Sequence, residues 1–433
     1  MAGDTIFALA TARGRAGVAV VRLSGSEAWS TAAKVCGGMA PPRMATLRRL
    51  VDAAGALIDR GLVLFFEAGA SYTGEDVVEF QVHGSTAVVR ALEMRLHDLG
   101  ARLAEPGEFT RRAVSHGRMD LTQAEGLADL INAETEAQRR QSLSVLQGGL
   151  SDRAAQWREA LIRAAALVEV TIDFVDEEVP TDVTPEVCHL LEIVRDEIAA
   201  EVKGGQAAER IRAGFEVAII GPPNVGKSTL LNHLADRDAA ITSAVAGTTR
   251  DVLEVRMDVA GLPVILLDTA GLRVADDPVE RIGVERTVRR ADGADLRLFL
   301  IDTASDLEML TLRPRPDDLV VFAKADQRDD RLESLAVSGL TGDGVKDLLA
   351  RVAAVLSERV AGASGAIRER HVAALRAGEV ALAAALGRLK SQAGPEIVAE
   401  DIRRALRQLD ALVGRTDVEH ILDEIFGRFC LGK

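Results

Sequence analysis

Cysteine is scarce in this chain: Cys36, Cys188 and Cys430 are its only three among 433 residues. Thiols so few and scattered exclude a disulfide framework and a cysteine-built zinc site, and they suit a reducing cytoplasm. No run approaches the roughly 18 apolar residues of a membrane span, so no membrane association is expected. The N-terminus carries Asp4 rather than a basic stretch ahead of its short apolar segment, which argues against a secretory signal. Positive charge is also in deficit, 52 Lys and Arg against 66 Asp and Glu, for a formal net charge of −14. That balance excludes non-specific nucleic-acid binding driven by bulk charge. Contact with RNA would need local clusters such as Arg111-Arg112 or Arg139-Arg140.

What is present begins with Gly221-Pro222-Pro223-Asn224-Val225-Gly226-Lys227-Ser228, lying between an apolar strand-like segment, Phe215 to Ile220, and a helix-like one. The glycines let the backbone wrap so that successive N–H groups face phosphate oxygens; Lys227 reaches the outer phosphates and Ser228 offers a hydroxyl to magnesium. Asn224, Val225, Gly226, Lys227, Ser228 and Thr229 are therefore nucleotide-binding candidates. Further along, Gly247-Thr248-Thr249-Arg250-Asp251 is a polar stretch with the character of a switch, and Thr249 is a second hydroxyl for the metal. Val264 to Leu267 then reads as a buried strand delivering Asp268-Thr269-Ala270-Gly271, where the carboxylate can hold magnesium through water and the glycine N–H can sense the third phosphate. A further strand, Leu319 to Phe322, ends in Ala323-Lys324-Ala325-Asp326, and Ser338-Gly339-Leu340 follows as a base-contacting loop. The Asp326 carboxylate can accept from both N1–H and the exocyclic amine of guanine, a donor pair adenine lacks.

Two positions depart from the common GTPase pattern. The guanine motif usually begins with Asn and here begins with Ala323, so nucleotide binding is expected to be weaker, by on the order of 1 kcal/mol per lost hydrogen bond, with guanine preference retained. Many GTPases orient the attacking water with a Gln where this chain has Leu272. The carboxylate of Glu280, on the segment that follows, can act instead through a bridging water, or it is simply a solvated helix residue. Asn224 places an amide oxygen beside the phosphates, where it can ligate a monovalent cation.

Around this unit, residues 1–117 mix strand-like runs (Val18 to Val21, Leu62 to Phe66, Val77 to Phe80) with one helical pattern from Ser85 to Leu99, an α/β texture with an antiparallel or mixed sheet. From Leu121 the texture becomes helical, with Leu143, Leu146, Leu150, Trp157, Leu161, Val168 and Ile172 compatible with one buried stripe up to a break at Pro180 and Pro185. Helical texture resumes after the nucleotide-binding unit. The expected domains are 1–117 (α/β), 118–212 (helical, first part), 213–360 (an inserted Ras-like P-loop GTPase domain with a doubly wound, mostly parallel sheet) and 361–433 (helical, second part).

Several further motifs carry a resemblance that runs from end to end: Arg22-Leu23-Ser24-Gly25, Tyr72-Thr73-Gly74-Glu75-Asp76, Pro106-Gly107-Glu108-Phe109-Thr110, Asp120 to Glu125, Asp173 to Glu178, and the terminal Phe429-Cys430-Leu431-Gly432-Lys433. With these and the GTPase set, the chain resembles the MnmE (TrmE) family of tRNA modification GTPases. The resemblance implies GTP hydrolysis with Mg2+, activated by potassium-dependent dimerisation of G domains in a homodimer. It also implies a flavin-containing, MnmG-like partner, with which a heterotetramer-type complex installs a carboxymethylaminomethyl-type group at C5 of the wobble uridine of certain tRNAs. Potassium would be held by Asn224 with Ser243, Val245 and Thr248, and Glu280 would position the water. By the same resemblance the N-terminal domain accepts 5-formyltetrahydrofolate or a related tetrahydrofolate at a dimer interface, through Arg22, Glu79, Arg118 and Lys433. Arg118 stands where a relative has Lys, and Ala12 to Gly17 departs from that relative's proline- and glycine-rich run. Cys430, a packed small hydrophobe on its bland reading, is implied to serve tRNA modification rather than GTP hydrolysis. Two other functions stay open at this point: a GTPase regulating ribosome or RNA assembly, and a folate-dependent one-carbon transferase with the G domain as sensor.

Overall fold

The computed structural model describes residues 4–173, 182–236, 254–268, 288–328, 335–415 and 432. The chain separates into two compact units, Met1–Ala128 with Asp410–Lys433, and Asp129–Leu409. This grouping takes the last two dozen residues with the N-terminal segment, whereas the sequence reading kept all of 361–433 with the helices. The described part of the chain end gives a reason: Gly432 lies so close to the end of the first strand that a Cβ on it would stand 2.2 Å from the Leu9 carbonyl oxygen.

In the first unit, β1 (Ile6–Leu9), β2 (Ala16–Ser24), β3 (Thr46–Val51), β4 (Leu57–Phe66), β5 (Val77–Gly84) and β6 (Arg102–Leu103) form one sheet in the order β3-β4-β5-β2-β1-β6. Only the β1–β6 pairing is parallel. The strand period of two sends Val21, Leu23, Val63, Phe65, Val78, Phe80 and Val82 to one face. There they pack with Ala28, Ala32 and Val35 of α1 (Ala28–Cys36) and Leu92 and Leu96 of α2 (Thr86–Asp98). Each fully buried aliphatic or aromatic side chain in that layer is worth about 1.5–3 kcal/mol. Alternation therefore turns Arg22 and Glu79, directly opposite each other across β2 and β5, to the other face. Ile6 and Ala8 of β1 make a second, smaller cluster with Phe109 of α3 (Glu108–Ser115) and Tyr72. Helix α4 (Leu121–Ile131) follows.

The second unit opens with α5 (Glu136–Leu146), whose Thr135 and Gln138 form a reciprocal capping box. The single buried stripe expected over residues 143–172 is interrupted: α5 stops, Gly148 takes φ 95°, and α6 (Gly149–Asp173) starts afresh. Within α5 it is Ser142 and Val145 that are buried, not Leu143 or Leu146. A pattern of spacings cannot register a break of two residues that leaves the apolar phase nearly intact. Helix α7 (Thr184–Ala213) begins with Pro185 in its first turn, where a missing N–H costs nothing.

Strands β7 (Phe215–Ile220), β8 (Glu254–Val259), β9 (Leu262–Asp268), β10 (Leu296–Ile301) and β11 (Leu319–Phe322) form a sheet ordered β11-β10-β7-β9-β8. All neighbours are parallel except β8–β9. The central strands are apolar runs buried on both faces, as parallel strands under helical layers must be. Arg297 of β10 breaks the run and is nonetheless buried; its guanidinium donates to Asp318 at 2.9 and 2.5 Å and to Asp292 at 3.0 Å. Helix α8 (Lys227–Ala235) follows β7, and α9 (Val345–Val360) closes this part. Beyond it, α10 (Glu369–Lys390) lies along α7, and Arg403 of α11 (Pro395–Val413) pairs with Glu169 of α6 at 2.8 Å. Gly204 of α7 admits the returning chain closely, since a Cβ there would meet the Gly362 carbonyl oxygen at 2.5 Å.

Candidate active site

The parallel register places Ile219 of β7 beside Asp268 of β9, so both strands deliver their C-terminal ends to one edge of the sheet. β7 runs directly into Gly221, which abuts the β10 backbone: a Cβ would stand 2.2 Å from the Leu300 carbonyl oxygen. The loop then turns through Asn224 at φ 62° and Gly226 at φ 111°, the latter being the N-cap of α8. This geometry points the first N–H groups of α8 into the loop and adds the positive end of its macrodipole. Lys227 is buried, and its Nζ donates to the Gly221 and Pro222 carbonyl oxygens at 2.8 and 2.9 Å. Ser228 Oγ donates to Asp268 Oδ2 at 3.2 Å. A hydroxyl and a carboxylate thus converge beside the loop, the donor set magnesium prefers when it retains waters. The Val225 side chain is core and leaves only its backbone to the loop, while Thr229 is exposed.

On the neighbouring edge, the Ala323 N–H donates to Ile301 O at 2.7 Å and its methyl is buried in the core. Lys324 adopts a left-handed backbone at φ 56° and pairs with Asp302 at 2.7 Å; Asp326 is exposed on the turn Ala325–Gln327. Val337 N donates to Phe322 O at 2.7 Å, so the segment reaching Ser338 continues along β11. The buried Ser338 Oγ accepts from the Leu340 and Thr341 N–H groups, each at 3.2 Å. Gly339 rests on α8, where a Cβ would lie 2.6 Å from Leu230 N. Asn224, Gly226, Thr229, Lys324, Asp326 and Leu340 are among the residues that line one cavity of about 180 Å³. The Gly221–Ser228 loop and the loops at Ala323–Asp326 and Ser338–Leu340, more than 90 residues apart in sequence, are thereby brought together. Arg328, singled out by no motif, folds back over this loop and contacts Ala323, Phe322 and Asp302. The candidates Ser243, Val245, Thr248, Thr249, Thr269, Ala270, Gly271, Glu280, Cys430 and Lys433 lie outside the described residues.

In the first unit a separate polar site occupies the sheet face opposite α1 and α2. Arg22 Nε and Nη2 both reach Glu79 Oε1, at 3.0 and 2.9 Å. The Arg22 guanidinium lies 5.0 Å from the Tyr72 ring centre and 5.7 Å from that of Phe109. Burial pushes the Tyr72 hydroxyl pKa up, although the hydroxyl bonds Thr110 Oγ1 at 2.7 Å. Next to it, Glu75 accepts from Ser24 and Arg112, and Glu108 accepts from Arg102 and Arg112. Burial opposes ionisation of Glu108, but those guanidinium bonds and the Glu105 N–H outweigh it and hold the carboxyl below the usual range. This supporting lattice of carboxylates and arginines escaped the motif reading; Glu75 and Glu108 do lie in the quoted motifs, and their role is set by tertiary contact. Arg118 is exposed, its side-chain stem near Gly74. The Glu79 carboxylate is thus paired with a guanidinium that itself lies against two aromatic rings.

Members of both basic pairs named as RNA candidates are engaged by carboxylates. Arg112 is engaged by Asp4, Glu75 and Glu108, and Arg139 and Arg140 both pair with Glu136. Among the described residues no group of three or more His, Cys, Asp or Glu side chains could hold a metal, and no helix is long and apolar enough to cross a membrane.

Comparison with known proteins adds an independent line. Residues 5–118 match the family model described as the GTP-binding protein TrmE N-terminus, and residues 121–430 match the MnmE helical domain. The chain is similar to a tRNA modification GTPase MnmE of Ruegeria pomeroyi, 58% identical over 434 residues and covering 99% of this chain and 100% of that one. A protein of the same description from Cereibacter sphaeroides is 55% identical over 432 residues, with 99% and 100% covered. Among solved structures, Era in complex with MgGDPNP and nucleotides 1506-1542 of 16S ribosomal RNA matches 33% of this chain and 56% of its own at 29% identity. Its TM-score of 0.26 is too low to add weight.

Proposed function

The chain belongs to the MnmE family of tRNA modification GTPases, and on that premise we propose that it hydrolyses GTP in the service of tRNA modification. The observation that carries the reading is the single cavity onto which the phosphate loop, Asp326 and the Ser338-Gly339-Leu340 loop converge, with the Ser228–Asp268 pair beside it. In this reading Lys227 exchanges its loop carbonyls for phosphate oxygens, and α8 contributes its N–H groups and dipole. Asp326 selects guanine. Ser228 and Asp268, with Thr249, would hold magnesium, which when bound neutralises phosphate charge. Thr269, Ala270 and Gly271 would sense the third phosphate, and Glu280 would orient the attacking water.

The finer reading has potassium held by Asn224 with Ser243, Val245 and Thr248, so that two G domains of a homodimer close on each other. A MnmG-like flavoprotein and tRNA complete the assembly, and the product carries a carboxymethylaminomethyl-type group at C5 of the wobble uridine. Arg22, Glu79, Arg118 and Lys433 would hold a tetrahydrofolate, and Cys430 would serve the modification alone. The left-handed backbone of Asn224 and its exposure at the cavity support the first of these assignments. The decisive experiment measures GTP hydrolysis in potassium and in sodium, then wobble-uridine composition by mass spectrometry in a deletion strain complemented with the wild-type gene or Cys430→Ser. Hydrolysis should be many-fold faster in potassium, and Cys430→Ser should hydrolyse GTP yet leave tRNA unmodified. Equal rates in the two salts remove Asn224 from its role. Failure to hydrolyse GTP in either salt overturns the whole reading.

A further inference from the structure

The base-contacting loop lacks the side-chain amide that usually opens it, yet it is not left slack. Ala323 supplies only a buried methyl, and Lys324, next to it, is held at φ 56°, a conformation that costs energy for a residue with a Cβ. Something must hold this backbone in place. At the other end of the same loop, Arg328 folds back across it. Its Nε donates to the Ala323 carbonyl oxygen at 2.9 Å, and its Nη2 donates to the carbonyl and, at 3.1 Å, to the carboxylate of Asp302, which follows β10. The guanidinium lies 5.0 Å from the centre of the Phe322 ring, and the side chain is 18% exposed. Asp302 also pairs with Lys324 at 2.7 Å, so one carboxylate ties both the strained residue and the arginine. The loop from Ala323 to Arg328 is thus closed into a ring by its own last side chain and pinned to the neighbouring strand.

We propose that Arg328 is a positioning residue for guanine recognition, a clamp that holds Asp326 at its working place in a loop deprived of the usual asparagine. The proposal rests on the reading of this cavity as a GTP site and adds a residue that no motif marks. A planar fork is needed for it, because one donor must reach Ala323 O while another reaches Asp302, and a lysine has no fixed fork. Arg328 itself is not among the residues that line the cavity. Its effect is on the aim of Asp326, which accepts from two donors of guanine and from only one of hypoxanthine.

The test compares GDP and IDP binding by equilibrium titration in the full-length protein, its Arg328→Met variant, which keeps the apolar stem, and Arg328→Lys, which keeps the charge. Loosening the aim of Asp326 should weaken GDP binding by about tenfold in Arg328→Met while weakening IDP binding much less, so that the GDP-over-IDP preference narrows. Arg328→Lys should narrow it as well, because its charge cannot restore the bond to Ala323 O. If Arg328→Met does not fold, the Arg328→Lys titration decides alone. An unchanged preference, or equal losses for both nucleotides, overturns the clamp and leaves Arg328 a residue of stability only. Failure of the wild-type protein to bind GDP at all would overturn the GTP-site reading instead.

Discussion

Gly221 offers the sharpest test of how the phosphate loop is built. Its replacement by alanine introduces one methyl group whose nearest neighbour is not a movable side chain but the backbone carbonyl of Leu300, 2.2 Å away. Ordinary contact begins near 3.4 Å, so β7 and β10 must part by more than 1 Å at this point. The obstacle cannot rotate aside, because β10 is held on both flanks through Phe299 opposite Ile220 and Leu300 opposite Val321. Overpacking of this kind costs about 1–3 kcal/mol of stability. The loop that moves also carries the carbonyl anchoring Lys227, and a displacement of about 1 Å at a positioning element lowers turnover by about 100-fold. Gly226 provides the contrast: a Cβ there meets nothing within 4 Å, and its constraint is φ 111° alone. Gly226→Asn should therefore be milder than Gly226→Ala, since Asn visits positive φ more readily, whereas every substitution at Gly221 should be at least as harmful as alanine. Thermal unfolding and steady-state GTP hydrolysis read both effects. A Gly221→Ala protein that melts and turns over like the wild type would refute the steric argument.

Three further outcomes concern contacts elsewhere in the fold. Arg297→Met removes the counter-charge of the buried Asp318 carboxylate, which keeps its bond from the Arg315 N–H, and should cost about 3 kcal/mol, with substantial recovery in Arg297→Met/Asp318→Leu; a single variant as stable as the wild type in denaturant titration would count against the buried pair. Because Glu108 titrates below its unfolded value, its contribution is complete above the ordinary carboxyl pKa and fades as pH falls through the folded one. The stability gap between wild type and Glu108→Gln should thus shrink as denaturant titrations move from pH 6 towards pH 3, and a gap that stays constant would show that the charge is not what stabilises. Glu79→Gln keeps size and loses charge. It should weaken 5-formyltetrahydrofolate binding by about tenfold or more with GTP hydrolysis intact, and undiminished affinity in calorimetry would dismiss the pterin assignment.

Much of this was legible in the chain itself, element by element. Phe215–Ile220 and Leu319–Phe322 are strands with the limits their apolar runs suggest, and Thr86–Asp98 is the helix its spacing predicts. β10 had no counterpart in the sequence reading: Arg297 sits inside its apolar run, and only the tertiary placement of Asp318 and Asp292 makes that residue tolerable. The break at Gly148 escaped detection because the apolar period continues across it. Arg328 carries no motif at all; its importance lies in which carbonyl its guanidinium reaches.

The order of apolar and polar residues determined which segments are strands or helices and which loop can wrap a phosphate, because both depend on neighbours within a few positions. Which residues share a site was decided by the register of the sheets. Parallel pairing sets Asp268 against the phosphate loop, antiparallel pairing sets Arg22 against Glu79, and the fold-back of one side chain ties Ala323 to Asp302. Those partners stand from 21 to 57 residues apart in the chain. Local preferences have no reach over such distances, and only the packed core brings the groups within bonding range.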